Sequence, residues 1–157
     1  MTIDGTRWRE LTAPDSGVTP ADLDALWASL PTVRAEDILG TWQGDAFPTG
    51  HPLCRALPRS RWYGKTFHSV LHAQPLICRA EDGSLFSNVE LGGGEATLWN
   101  IEFRGEVTAT MVYDGRPVFD HFKALDENTL MGIMNGKPEQ VLADGAHFYF
   151  VLERVTE

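Results

Sequence analysis

The chain has 157 residues, 43% of them hydrophobic, which suits one globular domain with a real core. Its net charge of −9 disfavours nucleic acid and anionic membranes as partners, since both attract clustered lysine and arginine, and the 13 basic residues are scattered. No apolar run follows a basic stretch at the start, and no run reaches the roughly 18 apolar residues of a membrane span. We therefore expect a soluble, cytoplasmic protein with no signal peptide and no membrane insertion.

In chain order, residues 1–17 are rich in Thr, Asp and Gly and predict a partly ordered tail. The segment TPADLDALWASLP then predicts an amphipathic helix over 19–30, with Thr19 as the N-cap and Pro20 at the first helical position. The apolar residues of this helix recur at i, i+3, i+4 and i+7 and are Leu23, Leu26, Trp27 and Leu30.

The rest of the chain favours β structure. Residues 51–64 carry prolines and arginines, a composition that predicts loops and turns. From Leu85 onwards the apolar period is two, with turn residues about every ten positions, which predicts an antiparallel meander joined by hairpins. Closure into a barrel removes the exposed edges of such a sheet. We therefore expect a mainly β, up-and-down barrel with the N-terminal helix lying across it.

Metal and nucleophile motifs are scarce. Cys54 and Cys78 are too few and too far apart for a disulfide framework or a thiolate cluster. His68 and His72 have the i, i+4 spacing of a helical metal pair, but the glutamate of the metalloprotease motif is missing and no third ligand is evident. No serine lies in a Gly-x-Ser-x-Gly elbow. The sequence predicts no metal site and assigns no catalytic residue.

Three segments carry a family resemblance. GTWQG at 40–44, followed by FPTGHPL, resembles the start of the GXWXG domain, and RWYGKTF at 61–67 resembles its middle. MVYDGRPVFDHFKALDENTLMGIMNGK at 111–137 resembles the domain of unknown function DUF4334, which usually follows a GXWXG domain. The resemblance implies one calycin-like, or lipocalin-like, barrel that binds hydrophobic ligands. It does not imply an established activity.

On this basis we expect a single domain over 1–157. The barrel is expected at 35–155, with a GXWXG part at about 35–95 and a DUF4334 part at about 96–155. A Gly-x-Trp segment also opens the first strand of lipocalins, fatty-acid-binding proteins and nitrobindins, which is what the resemblance implies for Trp42. A large indole near a barrel end can close one mouth, so closure is its first predicted role and ligand contact its second.

The candidate ligand-binding residues are those that strand alternation could place inside the barrel. Aromatic and methionine side chains offer an adaptable lining that suits acyl or terpenoid ligands. For any single one of them core packing is the more common role, whereas the set as a whole favours a pocket. If Asp120 points inward, it needs a partner such as Arg116 or Arg104, or the polar head of a ligand. Which face of strand 116–125 points inward is left open. The candidates are Trp42, Trp99, Met111, Phe119, Asp120, Phe122, Met134, His147 and Tyr149.

The sequence therefore predicts the binding of a small hydrophobic molecule, lipid-like, fatty-acid-like or terpenoid-like, as a carrier or sensor and without a cofactor. One alternative is haem bound through His147, because the nitrobindins use a histidine toward the C-terminal end of a similar barrel. Another is a small barrel enzyme that uses Asp120 and a histidine as acid and base on a hydrophobic substrate. A second copy of the chain, forming a homodimer, is left open as a further partner.

Overall fold

A computed structural model describes residues 8–156 as one nine-stranded antiparallel sheet with short helices around it. Among these residues, no helix is long and apolar enough to span a membrane. The helices are α1 Trp8–Thr12, α2 Pro20–Ser29, α3 Leu53–Arg59, α4 Val89–Gly92 and α5 Pro138–Val141, with a 3-10 turn at Ala35–Asp37. The strands are β1 Gly40–Ala46, β2 Trp62–Ser69, β3 His72–Arg79, β4 Leu85–Ser87, β5 Ala96–Phe103, β6 Glu106–Tyr113, β7 Val118–Asp126, β8 Thr129–Gly136 and β9 Phe148–Arg154.

The sheet closes on itself. Its strands follow the order β2-β1-β9-β8-β7-β6-β5-β3-β4, and β2 also pairs with β3. The strands from β2 round to β3 thus form a ring, and β4 is attached to β3 beside it. Neighbours from β5 to β9 are consecutive and antiparallel. The predicted mainly β, antiparallel architecture is confirmed, and the pairings make it ring-like.

Helix α2 begins where the sequence predicts. The Thr19 hydroxyl accepts the Asp22 N–H at 3.2 Å, and the Asp22 carboxylate accepts the Thr19 N–H at 3.0 Å, which is a reciprocal capping box. The apolar face of α2 is buried in one cluster with side chains from the outer face of β8 and β9. The N-terminal helix is therefore confirmed, and it covers these strands from outside.

Two segments are more ordered than their composition alone suggests, because packing overrides composition. In the tail, which the sequence predicts to be partly ordered, Trp8 of α1 is buried in the same cluster as α2; residues 1–7 lie outside the described residues. Residues 51–64 contain α3 and the start of β2 in addition to turns. Pro52 precedes α3, a position where its missing N–H breaks no helical hydrogen bond.

Strands β2 and β3 lack a clear period-two pattern, and their burial explains why. Four successive residues of β3, from 75 to 78, are buried or nearly so on both faces of the sheet. A strand covered on both faces reads as a continuous apolar run instead of an alternation. The segment 85–91, where the predicted period-two meander begins, is divided into β4 and α4 because the Asn88 side chain caps the helix by accepting the Leu91 N–H.

Candidate functional site

The interior of the ring is filled with side chains along one half and open along the other. On β7, Phe122 belongs to the filled half, and Asp120, the preceding inward residue, lines a cavity. On β6, Met111 is in the filled half and Tyr113 lines the cavity. Strand 116–125 therefore turns Asp120 and Phe122 inward, which answers the question that the sequence left open.

The cavity has a volume of about 480 Å³, which lies within the range of about 300–1,000 Å³ that is typical of ligand pockets. Helix α3 and the segment that follows α5 border the cavity together with the strands. Its walls are mainly apolar and include Leu57, Trp62, Leu76, Met134, Phe148 and Phe150. The space can hold a small, largely apolar molecule.

A buried ion pair interrupts this apolar wall. The Lys65 ammonium lies 3.1 Å from Oδ2 of Asp120, and each side chain is only 3% exposed. The ammonium also donates to the Pro75 carbonyl at 3.3 Å. Burial raises the pKa of Asp120, and the positive charge of Lys65 opposes that rise. Three ring centres lie 5.3–5.8 Å from the ammonium, those of Phe150, Trp62 and Tyr113.

Two polar atoms beside this pair have no hydrogen-bond partner among residues 8–156, namely Oδ1 of Asp120 and the Tyr113 hydroxyl. In the same range, only Trp27 Nε1 and Thr49 Oγ1 are both fully enclosed and unpaired. Oδ1 of Asp120 and the Tyr113 hydroxyl are therefore not fully enclosed, and both reach the open space of the cavity. Burial, and then the negative charge of Asp120, raise the pKa of Tyr113 well above its usual value, so its hydroxyl stays protonated and can donate.

A contact between α4 and the loop after β6 forms one border of the cavity. The Arg116 guanidinium donates to the Leu91 carbonyl through Nε at 3.0 Å and also through Nη2. Gly115 lies so close to Gly93 that a Cβ on Gly115 would be 1.9 Å from the Gly93 oxygen. Arg116 is exposed, so this border carries a solvated cation.

The GTWQG segment supports the site from β1. Gly40 has φ +128°, in the region that favours glycine. Trp42 is buried in the filled half, its indole N–H donates to a backbone carbonyl at 2.9 Å, and the Arg154 guanidinium lies 4.3 Å from its ring centre. A Cβ on Gly44 would be 2.1 Å from the Trp62 ring. The second glycine therefore lets Trp62 pack across β1 while it lines the cavity.

His121 lies on the outer face of the ring. Its Nε2 accepts from the Asn135 amide at 3.0 Å, and its Nδ1 donates to the Thr110 hydroxyl at 2.8 Å, since that hydroxyl itself donates to a backbone carbonyl. The imidazole stacks on Phe103 with ring centres 4.0 Å apart. Burial, then the charges of His147 and Arg104, lower the pKa of His121 to about 4. This neutral histidine links β6 and β8 through hydrogen bonds on the outer face of the sheet.

The nine residues predicted as ligand contacts lie in three places. Asp120 and Met134 line the cavity. Three fill the closed half of the interior, namely Trp42, Met111 and Phe122. Four lie on the outer side of the sheet, namely Trp99, Phe119, His147 and Tyr149. Trp99 is 50% exposed, and Phe119 packs edge-on to His121. His147 donates through Nδ1 to the Met134 carbonyl, and the Tyr149 hydroxyl donates to Asp24 of α2, both at 2.8 Å. The inward face of β5 carries Ala96 and Leu98 instead of Trp99.

Sequence reasoning missed Lys65 and the wall formed by α3. The partners expected for Asp120 were Arg116, Arg104 or the polar head of a ligand. Arg104 instead pairs with Asp24 at 3.0 Å, and Arg116 lies at the cavity border. One signal was available, because Lys65 precedes the buried Phe67 by two positions and so shares its face of β2.

The fold and the cavity define a class of protein, a mainly β chain whose antiparallel sheet closes in a ring around a partly open interior. Residues 25–83 match the model of the GXWXG protein family, and residues 94–154 match that of a domain of unknown function, DUF4334. The chain belongs to the family in which a GXWXG region is followed by DUF4334.

A solved structure is similar over nearly the whole length. It is described as the crystal structure of a protein from Thermomonospora curvata, with 34% sequence identity and a TM-score of 0.84. The match covers 97% of this chain and 98% of that one. No curated protein matches the chain.

Proposed function

We propose that the protein binds a small hydrophobic molecule in the cavity, as a carrier or a sensor. The observation that carries the proposal is the unfilled half of the ring, about 480 Å³ lined mainly by apolar side chains. Protein interiors are otherwise close-packed, with few voids larger than a water molecule. We further propose that the ring is a calycin-like barrel, since small barrels either fill their interior or enclose one small ligand.

The test is titration with a neutral fluorescent probe, N-phenyl-1-naphthylamine, together with mass spectrometry of solvent extracts of the purified protein. A tryptophan at Met134 would occupy part of the cavity, so Met134→Trp should weaken probe binding at least about tenfold. Val107 is 58% exposed on β6, and Val107→Trp provides a matched control that should bind like the unmodified chain. Equal affinity in all three proteins would place the probe elsewhere, and absence of binding would reject the proposal.

The two alternatives have weaker support. Both need a histidine in the interior, and His121 and His147 project from the outer face. His51 does line the cavity, but its Nε2 lies 3.0 Å from the Val141 carbonyl and its Nδ1 accepts the Leu53 N–H at 3.2 Å. Haem ligation or proton transfer by His51 would have to break these contacts. A Soret band on addition of haem that is lost in His147→Ala would favour the haem alternative instead.

A further inference from the structure

We propose that the ligand is a neutral molecule with a hydroxyl group at its polar end, and that this hydroxyl binds at Asp120, Tyr113 and Lys65. The proposal rests on the proposed function of the cavity and narrows it. It selects alcohols of the terpenoid or long-chain type over fatty-acid anions. The reasons are the charge of the site and its unpaired hydrogen-bonding atoms.

The charge of the site disfavours an anionic ligand. Lys65 is already neutralised by Asp120, whose Oδ2 lies 3.1 Å from the ammonium, and both side chains are buried. A ligand carboxylate that approached Lys65 would also meet the Asp120 carboxylate. A buried cluster of two carboxylates and one ammonium carries a net negative charge in an apolar wall, which is unfavourable.

The unpaired atoms favour a hydroxyl. The Asp120 carboxylate is paired with Lys65, so its Oδ1 can only accept a hydrogen bond. The Tyr113 hydroxyl is a protonated donor. An alcohol can donate to Oδ1 and accept from Tyr113, so one small group satisfies both. A carboxylate has no proton to donate, and an ether can only accept. Burying either of these beside Asp120 leaves the carboxylate oxygen unpaired.

Arg116 is the other cation of the cavity wall, and it could attract an anion to the border. It is exposed and already donates to the Leu91 carbonyl, so solvent and salt weaken its attraction for a carboxylate. The Lys65–Asp120 pair therefore decides which ligand binds. The experiment must distinguish binding at this pair from binding at Arg116.

The experiment is calorimetric titration at pH 7.5 with three ligands of equal chain length, 1-decanol, decyl methyl ether and decanoate. The unmodified protein should bind decanol at least about tenfold more tightly than either of the others, because hydrogen bonds to charged groups contribute that much. The proposal is overturned if decanoate or decyl methyl ether binds as tightly as decanol. If decanoate does bind as tightly as decanol, a fall of its affinity in Arg116→Gln shows that the carboxylate binds at the border, so that the Lys65–Asp120 pair does not decide the choice of ligand.

Variants of the pair supply the second part of the test. Asp120→Asn leaves Lys65 without its counter-charge, so decanoate should gain at least about tenfold in affinity relative to decanol. A double variant, Lys65→Met with Asp120→Leu, replaces the pair by apolar side chains and avoids an uncompensated buried charge. It should bind decanol and the ether within about twofold of each other, since no charged acceptor remains. A persistent tenfold preference for decanol in the double variant would contradict the assignment.

Glu106→Gln is the matched control. Glu106 lies 2.5 Å from Lys123, a second buried lysine, on the outer side of the sheet. This variant removes a carboxylate from a buried lysine without touching the cavity, so the order of ligand affinities should not change. If the unmodified protein binds all three ligands equally, the cavity binds apolar molecules but the hydroxyl proposal fails. If neither these ligands nor the naphthylamine probe binds, the proposed function fails with it.

Discussion

Acid should destabilise the protein through His121, which is buried on the outer face of the ring and stacks on Phe103. The side chain is 1% exposed, and both ring nitrogens are paired in the neutral form. A second proton on Nε2 would face the Asn135 amide, which donates to that nitrogen. Protonation therefore breaks a hydrogen bond and places a charge against Phe103.

The size of the effect follows from the pKa of His121, which burial lowers from 6.5 to about 4. The unfolded chain binds the proton first as the pH falls, so the stabilising contribution is fully present above pH 6.5. It is lost progressively as the pH falls from 6.5 to about 4. At about 1.4 kcal/mol for each pKa unit, the loss is about 3 kcal/mol in the free energy of unfolding.

The assay is urea denaturation, followed by tryptophan fluorescence, at pH values from about 7.5 down to about 4. His121→Gln removes the titrating group, and subtracting its pH dependence from that of the unmodified chain cancels the other ionisable groups. The difference between the two proteins should shrink by about 3 kcal/mol over this range. His68→Gln, at an exposed histidine, is the control and should preserve the pH dependence. A difference that stays constant within about 0.5 kcal/mol would refute the reasoning.

Three further variants test local features of the fold and the site. A Cβ on Gly64 would lie 1.8 Å from the Trp42 carbonyl oxygen, so Gly64→Ala should lower the free energy of unfolding by about 3 kcal/mol in urea, and a loss below about 1 kcal/mol would contradict the close approach. Thr19→Ala removes the α2 cap and should cost about 1 kcal/mol by thermal denaturation; an unchanged Tm would show that the capping box adds nothing. Tyr113→Phe should weaken 1-decanol binding about fivefold without loss of stability, and unaltered affinity would remove Tyr113 from the site.

Local signals in the sequence predict much of the fold. The α2 boundaries follow from Thr19 and Pro20, which act within one helical turn. The hairpins from β5 to β8 follow from period-two runs and turn residues such as Arg104 and Gly105, both at positive φ. Each of these features depends on residues that are close in sequence, so the local sequence is enough to predict it.

The site depends on contacts between distant segments and is much harder to predict. Alternation groups Asp120 with Phe122 and His121 with Lys123, but both faces of β7 are buried, one by the interior and one by the outer layer. Because neither face of β7 is exposed to solvent, alternation alone does not show which face points into the ring. The partner Lys65 reaches Asp120 only because β2 and β3 close the ring.

The most direct test of the central claim, that a small hydrophobic molecule binds inside the ring, is a crystal structure of the protein with 10-bromo-1-decanol. Bromine can be located by its anomalous scattering, independently of any assumption about the ligand. We expect a bromine peak within the cavity lined by Met134 and Phe148, with the hydroxyl at Asp120. Bromine bound only on the outer surface of the sheet, with no ligand density in the cavity, would contradict the account.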